Sequence, residues 1–154
     1  MKPENKYRTW FVDKFKGWLN QTHPGATFVS RKHADYATGG ILDMSLTING
    51  VTVWTEFKLI PQCEKERKLE VSDLQRAELD EYTRAGAAAV VLVGLPLGPR
   101  RGYESALFQQ AIPTKIIRSD FRRMEVVFDV LYSMAETAAK RSLDKFLTQA
   151  FGRR

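Results

Sequence analysis

The chain has 154 residues, 44% of them hydrophobic, with 24 Lys and Arg against 18 Asp and Glu and a net charge of +6. This length and composition predict one domain over residues 1–154 with an anionic partner, and they exclude a disordered chain. The one cysteine, Cys63, excludes an internal disulfide, and no apolar run is long enough to span a membrane, so we expect a cytoplasmic protein without a membrane partner.

The first predicted element is a helix over residues 3–19. Aromatic residues at helical spacing predict its buried face: Tyr7, Phe11, Phe15 and Trp18. Glu4 precedes Phe11 by seven residues and therefore shares that face. There its carboxylate either points into a cleft or is simply an acidic residue that the helix dipole favours in a first turn.

A short strand is predicted over residues 27–32, and it ends in the basic residues Arg31 and Lys32. Such a pair suits contacts with phosphate groups, and it is equally typical of an exposed strand end. His33 follows, but neither histidine of the chain is close in sequence to another soft ligand, so a zinc site is not predicted.

The clearest pattern in the sequence is a β-hairpin. Residues 41–48 and 51–58 are rich in β-branched and aromatic side chains, and they flank Asn49-Gly50, a dipeptide typical of two-residue hairpin turns. Because strand side chains alternate, one face of the hairpin is predicted to be apolar, with Leu42 opposite Phe57.

The other face of the hairpin places Asp43 directly opposite Glu56, with Lys58 beside them. Opposed carboxylates repel each other. A hard cation offsets the repulsion, because Mg²⁺ is held by one or two carboxylates and keeps positions for water and a phosphate oxygen. Lys58 can orient that water or neutralise developing charge, and Gly39-Gly40 leaves open backbone just before the acidic strand. The alternative is a solvated face with ordinary surface charges.

Beyond the hairpin, residues 61–70 are dense in both charges and predict a loop. Ser72 and Gln75 form a capping box at the start of a helix that ends at Gly86. A continuous apolar run over residues 88–95 then predicts a buried strand, reached by a crossover from the hairpin. Besides its part in the cap, Gln75 can hydrogen-bond a phosphate near the acidic face, and the two roles are compatible.

The remaining segments are a loop, a strand and a long helical region. The loop at residues 96–103 follows the buried strand and carries Arg100 and Arg101. We expect these residues to contact the anionic partner, and the alternative is that they are ordinary surface charges. A strand is predicted over residues 114–118. Residues 121–151 predict one long helix or two joined ones.

Apolar residues recur at helical spacing along this last region: Val127, Leu131, Met134, Ala138, Ala139, Leu143, Phe146 and Leu147. Such a stripe indicates either core packing or a partner surface. The length of the region relative to so small a sheet favours a homodimer through the C-terminal helices. Gly152-Arg153-Arg154 is interpreted as a basic tail.

The hairpin resembles the motif of the PD-(D/E)xK nuclease superfamily, in which an acidic residue in one strand is followed across a turn by (Asp/Glu)-x-Lys in the next. The matching residues are Asp43, Glu56 and Lys58. Leu42 stands where the motif has its proline, a position that varies widely in the superfamily.

The following helix extends the resemblance. Gln75 at its start, then Leu79 and Gly86-Ala87 before an apolar strand, are similar to Holliday-junction-resolvase-like members and to virus-type replication-repair nucleases. The likeness covers about residues 3–95. It implies an α/β fold with a restriction-endonuclease-like core over about residues 3–118, in which helices flank a mixed β-sheet, and a helical C-terminal extension over about residues 121–151.

The resemblance also implies a chemistry, namely metal-dependent hydrolysis of phosphodiester bonds in branched or duplex DNA. Mg²⁺, with Mn²⁺ as a substitute, is expected to be held by Asp43, Glu56, the backbone carbonyl of Phe57 and Glu4. Lys58 would assist the attacking water. Gln75 would position water or phosphate.

DNA contacts are expected from the two basic pairs: Arg31, Lys32, Arg100 and Arg101. Related modules act in phage or cellular DNA recombination, repair or packaging, so the host cytoplasm or a virion are both compatible locations. The alternatives are a non-catalytic DNA-binding or virion structural protein that retains the nuclease fold, and a basic adaptor between proteins. A fold alone does not choose among them.

Overall fold

The computed structural model of the chain describes residues 1–33 and 42–152. Two sequence predictions lie outside the described residues, namely the open backbone at Gly39-Gly40 and the basic tail at Arg153 and Arg154.

The described residues form three α-helices and seven β-strands. In chain order these are α1 (Pro3–Thr22), β1 (Phe28–Lys32), β2 (Met44–Ile48), β3 (Val51–Leu59), β4 (Glu66–Lys68), α2 (Asp73–Arg84), β5 (Ala88–Pro96), β6 (Tyr103–Phe108), β7 (Lys115–Ile117) and α3 (Met124–Phe151), with a 3-10 helix at Arg118–Asp120 before α3. None of these helices is long and apolar enough to cross a membrane.

Five strands form one sheet in the order β1-β2-β3-β5-β6, and β4 pairs with β7 in a separate two-stranded ribbon. All neighbours in the sheet are antiparallel except β3 and β5, which run parallel because α2 lies in the crossover between them. The predicted α/β architecture is confirmed: a mixed sheet flanked by helices, with a C-terminal helix.

The core has two layers because the side chains of β5 alternate between the two faces of the sheet. Val90 and Leu92 pack with the aromatic face of α1 and with the first half of α3. Val91 and Val93 pack on the opposite face with Leu79 of α2. Both faces of β5 are therefore covered, as its continuous apolar run predicted.

The local signals read from the sequence form the expected contacts. Asn49 and Gly50 adopt positive φ angles of 50° and 79°, as a type I′ hairpin turn requires. At the start of α2, the Gln75 backbone N–H donates to the Ser72 hydroxyl at 3.1 Å, and the Ser72 N–H donates to Gln75 Oε1 at 3.1 Å. The capping box is thus complete.

One end of the hairpin differs from the prediction. β2 begins at Met44, so Leu42 does not pair with Phe57, and its side chain packs on the opposite face with the α2 cluster. The reason lies in Asp43, because its side chain accepts the Phe57 N–H at 3.0 Å, a bond that a paired Leu42 carbonyl would otherwise make.

Two further differences involve strands. β6 was not predicted, and it covers the edge of β5. The predicted loop at residues 61–70 instead contains β4, which pairs with the predicted strand at residues 114–118. β4 and β7 have three residues each, which is too short for an alternating apolar pattern to be recognised. Their pairing also joins segments that are far apart in the chain.

The C-terminal region is one helix, α3. Its buried residues end at Ala135. Leu143 and Phe146 are 55% and 61% exposed. The second half of α3 therefore carries an apolar stripe that the described residues do not cover.

We predict that Gly94→Ala destabilises the fold. A Cβ at Gly94 in β5 would lie 2.6 Å from the ring of Tyr7. That ring cannot easily move, because it is buried and its hydroxyl is hydrogen-bonded to Ser105 at 2.6 Å. Overpacking of this kind costs about 1–3 kcal/mol in the free energy of unfolding, which urea denaturation would measure.

Gly17→Ala is the matched control, because a Cβ at Gly17 meets nothing within 4 Å and the residue is in the interior of α1. It should stabilise the protein by about 0.5–1 kcal/mol. Equal stability of the two variants would contradict the close packing of α1 on β5.

Candidate active site

The structure brings Asp43 and Glu56 together beside β3, just before β2 begins. The Asp43 backbone N–H donates to Glu56 Oε1 at 3.3 Å, and the Phe57 N–H donates to Asp43 Oδ2 at 3.0 Å. Glu56 is only 1% exposed, because its strand has neighbours on both sides in the sheet and α2 begins over its carboxylate. Two carboxyl groups are thereby held side by side at the edge of the core.

Two further side chains contact Glu56. Lys58 Nζ lies 3.4 Å from Glu56 Oε2, with 21% of the Lys58 side chain exposed. Gln75 Nε2 donates to the same oxygen at 2.9 Å. Since Gln75 Oε1 accepts the Ser72 N–H, one amide both caps α2 and holds the carboxylate. The two interpretations of Gln75 are therefore geometrically compatible.

Glu4 lies beside this group at the start of α1. Partial burial raises the pKa of its carboxyl, while the charge of Lys58 lowers it and the charge of Asp43 raises it. The Leu59 backbone and Arg8 lower it further. These influences place Glu4 near the end of β3.

Arg8 is a residue that sequence reasoning missed. It follows Glu4 by one helical turn, and its buried Nε has no hydrogen-bond partner among the described residues. A buried donor without a partner is uncommon and often marks a place for a ligand or a water. The only signal in the sequence is the i, i+4 spacing from Glu4, which is common on helices.

The pKa of Glu56 is raised to about 8, primarily by burial and then by the charge of Asp43, while Lys58 opposes the rise. The group is therefore largely protonated at neutral pH. A bound cation would favour its ionised form, because metal ligands must be deprotonated.

The backbone of Phe57 contributes a further oxygen on the same side. Its N–H points to Asp43, and in a strand the carbonyl of a residue points to the same side as its N–H. The Phe57 carbonyl is therefore directed to the Asp43 side of β3.

These groups suit a hard divalent cation. Two carboxylates and a carbonyl are the oxygen donors that Mg²⁺ prefers, with water in its remaining positions. Over residues 1–33 and 42–152, no three His, Cys, Asp or Glu side chains form a group that could hold a metal ion.

The predicted basic pairs lie at two places around the site. Arg31 and Lys32 are exposed on the edge strand β1, where Lys32 opposes Met44, the neighbour of Asp43. Arg100 and Arg101 are exposed in the turn after β5. This turn follows the C-terminal end of β5. Lys58 is near the same end, because it pairs with Val93.

A row of three neighbouring rings on the same face as Glu56 was also not predicted. His33 bonds Ser45 at 2.9 Å, and its ring lies 5.2 Å from that of Trp54. Trp54 stacks on Tyr82 of α2 at 4.8 Å. The row joins the edge of the sheet to α2, which explains part of how α2 is held over β3.

Comparison with solved structures finds similarity to Archaeoglobus fulgidus Hjc, a Holliday junction resolvase from an archaeal hyperthermophile. The two are 20% identical, with a TM-score of 0.43, over 76% of this chain and 94% of that chain. No family model and no curated protein matches the sequence.

We predict that the stability of the metal-free protein falls as the pH rises from about 4.5 to 8. Over this range the folded state keeps a proton on Glu56 that the unfolded chain releases, so unfolding becomes easier with increasing pH. Glu56→Gln removes the buried ionisable group. At pH 9 it should be more stable than the parent by about 2–4 kcal/mol.

Urea denaturation in EDTA at pH 5 and pH 9 measures this difference. The two proteins should have similar stability at pH 5, where Glu56 is protonated in the folded state. An Asp129→Asn variant on α3 serves as a control for the loss of one carboxylate elsewhere. If the parent instead gained stability from pH 5 to pH 9, the raised pKa of Glu56 in the folded protein would be contradicted.

Proposed function

We propose that this chain is a metal-dependent endonuclease of the PD-(D/E)xK type that hydrolyses DNA phosphodiester bonds. The observation that carries the proposal is the contact of Asp43, Glu56 and Lys58, in which two carboxylates and one ammonium group converge at the end of a strand. A purely structural role gives no reason to bury one of two adjacent carboxyl groups.

Asp43, Glu56 and the Phe57 carbonyl would hold Mg²⁺, or Mn²⁺ in its place. When bound, such an ion polarises a phosphate oxygen and lowers the pKa of a coordinated water. Glu4 would support this site through its charge, because it is adjacent to the pair and its pKa responds to Asp43.

Lys58 is the residue best placed to act on the substrate. Its ammonium group contacts Glu56 and is also partly open to solvent, so it can donate to an attacking water or to a phosphate oxygen. Charge that develops on the phosphate in the transition state would be stabilised by this fixed cation. Lys58 belongs to a strand, and a strand positions a side chain more rigidly than a loop does.

Gln75 and Arg8 complete the arrangement from the two helices. Gln75 holds the Glu56 carboxylate through its 2.9 Å hydrogen bond, so it is a positioning residue. On the α1 side, Arg8 presents a buried donor that has no partner among residues 1–33 and 42–152. We assign it to a phosphate oxygen of the bound strand, since an anion would satisfy that donor.

The substrate would be held by its backbone. Arg31 and Lys32 extend from β1, and Arg100 and Arg101 extend from the turn after β5, so exposed cations lie to both sides of the acids. Contacts with phosphate groups fix the position of DNA without reading its sequence. We therefore propose selection by DNA structure, with branched DNA such as a four-way junction as the preferred substrate.

Symmetric cutting of a junction needs two active sites, and we propose that the second is supplied by another copy of the chain. The uncovered stripe on α3, which includes Leu143 and Phe146, would form the contact. Phe146→Glu should then shift the mass measured by sedimentation velocity from dimer to monomer. A parent that is monomeric at all concentrations would exclude this contact.

Incubation of the protein with labelled four-way junction, linear duplex and single-stranded DNA tests the activity. With Mg²⁺ or Mn²⁺ we expect paired cuts at the junction, and with EDTA no cuts. Asp43→Asn and Lys58→Ala should each reduce the rate at least about 100-fold, which is the size of effect seen when a group that stabilises a transition state is removed.

Asp13→Asn in α1 and Lys140→Ala in α3 are matched controls, because both residues are exposed and no site contact involves them. In parallel, Mg²⁺ should raise the melting temperature of the parent and of the Lys58 variant more than that of Asp43→Asn. Binding of DNA without cutting under any metal would instead favour a non-catalytic protein that retains the nuclease fold.

A further inference from the structure

The two-stranded ribbon of β4 and β7 is separate from the five-stranded sheet that carries the proposed site. One further backbone bond extends the pairing at each end, Leu69 N–H to the Thr114 carbonyl at 2.9 Å and Arg118 N–H to the Lys65 carbonyl at 2.9 Å. Ile116 of β7 is fully buried in the cluster below α2. One face of the ribbon is thereby fixed to the body of the protein.

Arg76 connects the ribbon to the proposed active site. Its guanidinium donates to the carbonyls of Ile112 and Pro113, at 2.6 and 3.2 Å, and its Nε donates to Val71 at 3.3 Å. Arg76 directly follows Gln75, whose amide contacts Glu56. The segment that leads into β7 is thus anchored to the same helical turn that holds the carboxylate.

The outer face of the ribbon carries two opposed lysines. The register pairs Lys68 directly with Lys115, and because Ile116 faces inward, its neighbour Lys115 faces outward. The side chains of Lys68 and Lys115 are 78% and 66% exposed. Like charges at directly opposed positions destabilise a strand pair.

The acidic neighbours offset this repulsion only weakly. Glu66 lies 3.4 Å from Lys115, and Glu70 lies 3.9 Å from Lys68. Both pairs are solvent-exposed, and ion pairs of this kind contribute little to stability. An anion between the two ammonium groups would remove the repulsion, and the spacing of an opposed pair, about 4.5–5.5 Å between Cβ atoms, lets both lysines reach one phosphate group.

We propose that Lys68 and Lys115 form a phosphate clamp that binds the DNA backbone at a position outside the proposed active site. This inference rests on the proposed function, since it takes DNA as the source of the phosphate. The ribbon would fix the orientation of the substrate, and the clamp would take no part in the chemical step. Because Arg76 ties the ribbon to α2, the bound phosphate would be held at a fixed distance from Glu56.

The test is a salt titration of DNA binding in EDTA, where no cutting is expected. Fluorescence anisotropy with a labelled four-way junction would compare the parent with the Lys68→Ala/Lys115→Ala double variant. Each lost phosphate contact lowers the slope of log affinity against log salt concentration by about 1, so the double variant should show a slope smaller by about 2. Its affinity at low salt should fall at least about tenfold.

Two controls separate charge from other effects. Lys68→Arg/Lys115→Arg should keep the parental slope, because it keeps both charges. Lys16→Ala/Lys140→Ala removes two exposed lysines from other elements and should reduce the slope less than the ribbon variant does. Single-turnover cutting by the ribbon variant at saturating DNA should match that of the parent.

The outcomes distinguish the two proposals. If the parent binds and cuts DNA while the ribbon variant keeps the parental slope, the clamp is wrong and the proposed function stands. If the parent binds no DNA, the proposed function fails and the clamp fails with it. A ribbon variant that binds normally but cuts slowly would also overturn the clamp.

Discussion

The hydrogen bond from the Phe57 N–H to the Asp43 carboxylate is the contact on which the proposed site depends. It extends the pairing of β2 with β3 by one step, at the residue just before β2 begins. A side chain replaces a carbonyl in the ladder, so a carboxylate is fixed next to Glu56 with the precision of a sheet. Because the carbonyl of a strand residue lies on the same side as its N–H, the Phe57 carbonyl is directed to the Asp43 side of β3.

The rest of the fold disfavours the ionised form of Glu56. Its strand is enclosed between β2 and β5, and α2 begins over its carboxylate, so the group loses its water. Burial raises the pKa of Glu56, and the charge of Asp43 raises it further. Lys58 lowers this pKa only in part. A site that is unfavourable as it stands, and that a divalent cation would make favourable, is consistent with the proposed chemistry.

Local chemistry made some of this predictable from the sequence. The Asn-Gly turn fixes the register that opposes Asp43 to Glu56, and the Ser72 cap places Gln75 in the first turn of α2. Contacts between distant segments carried no comparable signal. The ribbon needs two three-residue strands 47 positions apart to meet, from Lys68 to Lys115. The side chain of Leu42 lies on the face opposite to the predicted one, because the Asp43 carboxylate accepts the Phe57 N–H in place of the Leu42 carbonyl. The alternation of strand side chains alone does not predict this.

The amide of Gln75 has one more consequence. Its oxygen completes the cap of α2 and its nitrogen holds Glu56, so the two contacts cannot be changed independently. A rotation of the Glu56 carboxylate would break its hydrogen bond with the first turn of α2. Arg76 in that turn also anchors the segment before β7. One turn of α2 therefore connects the Glu56 carboxylate to the exposed ribbon.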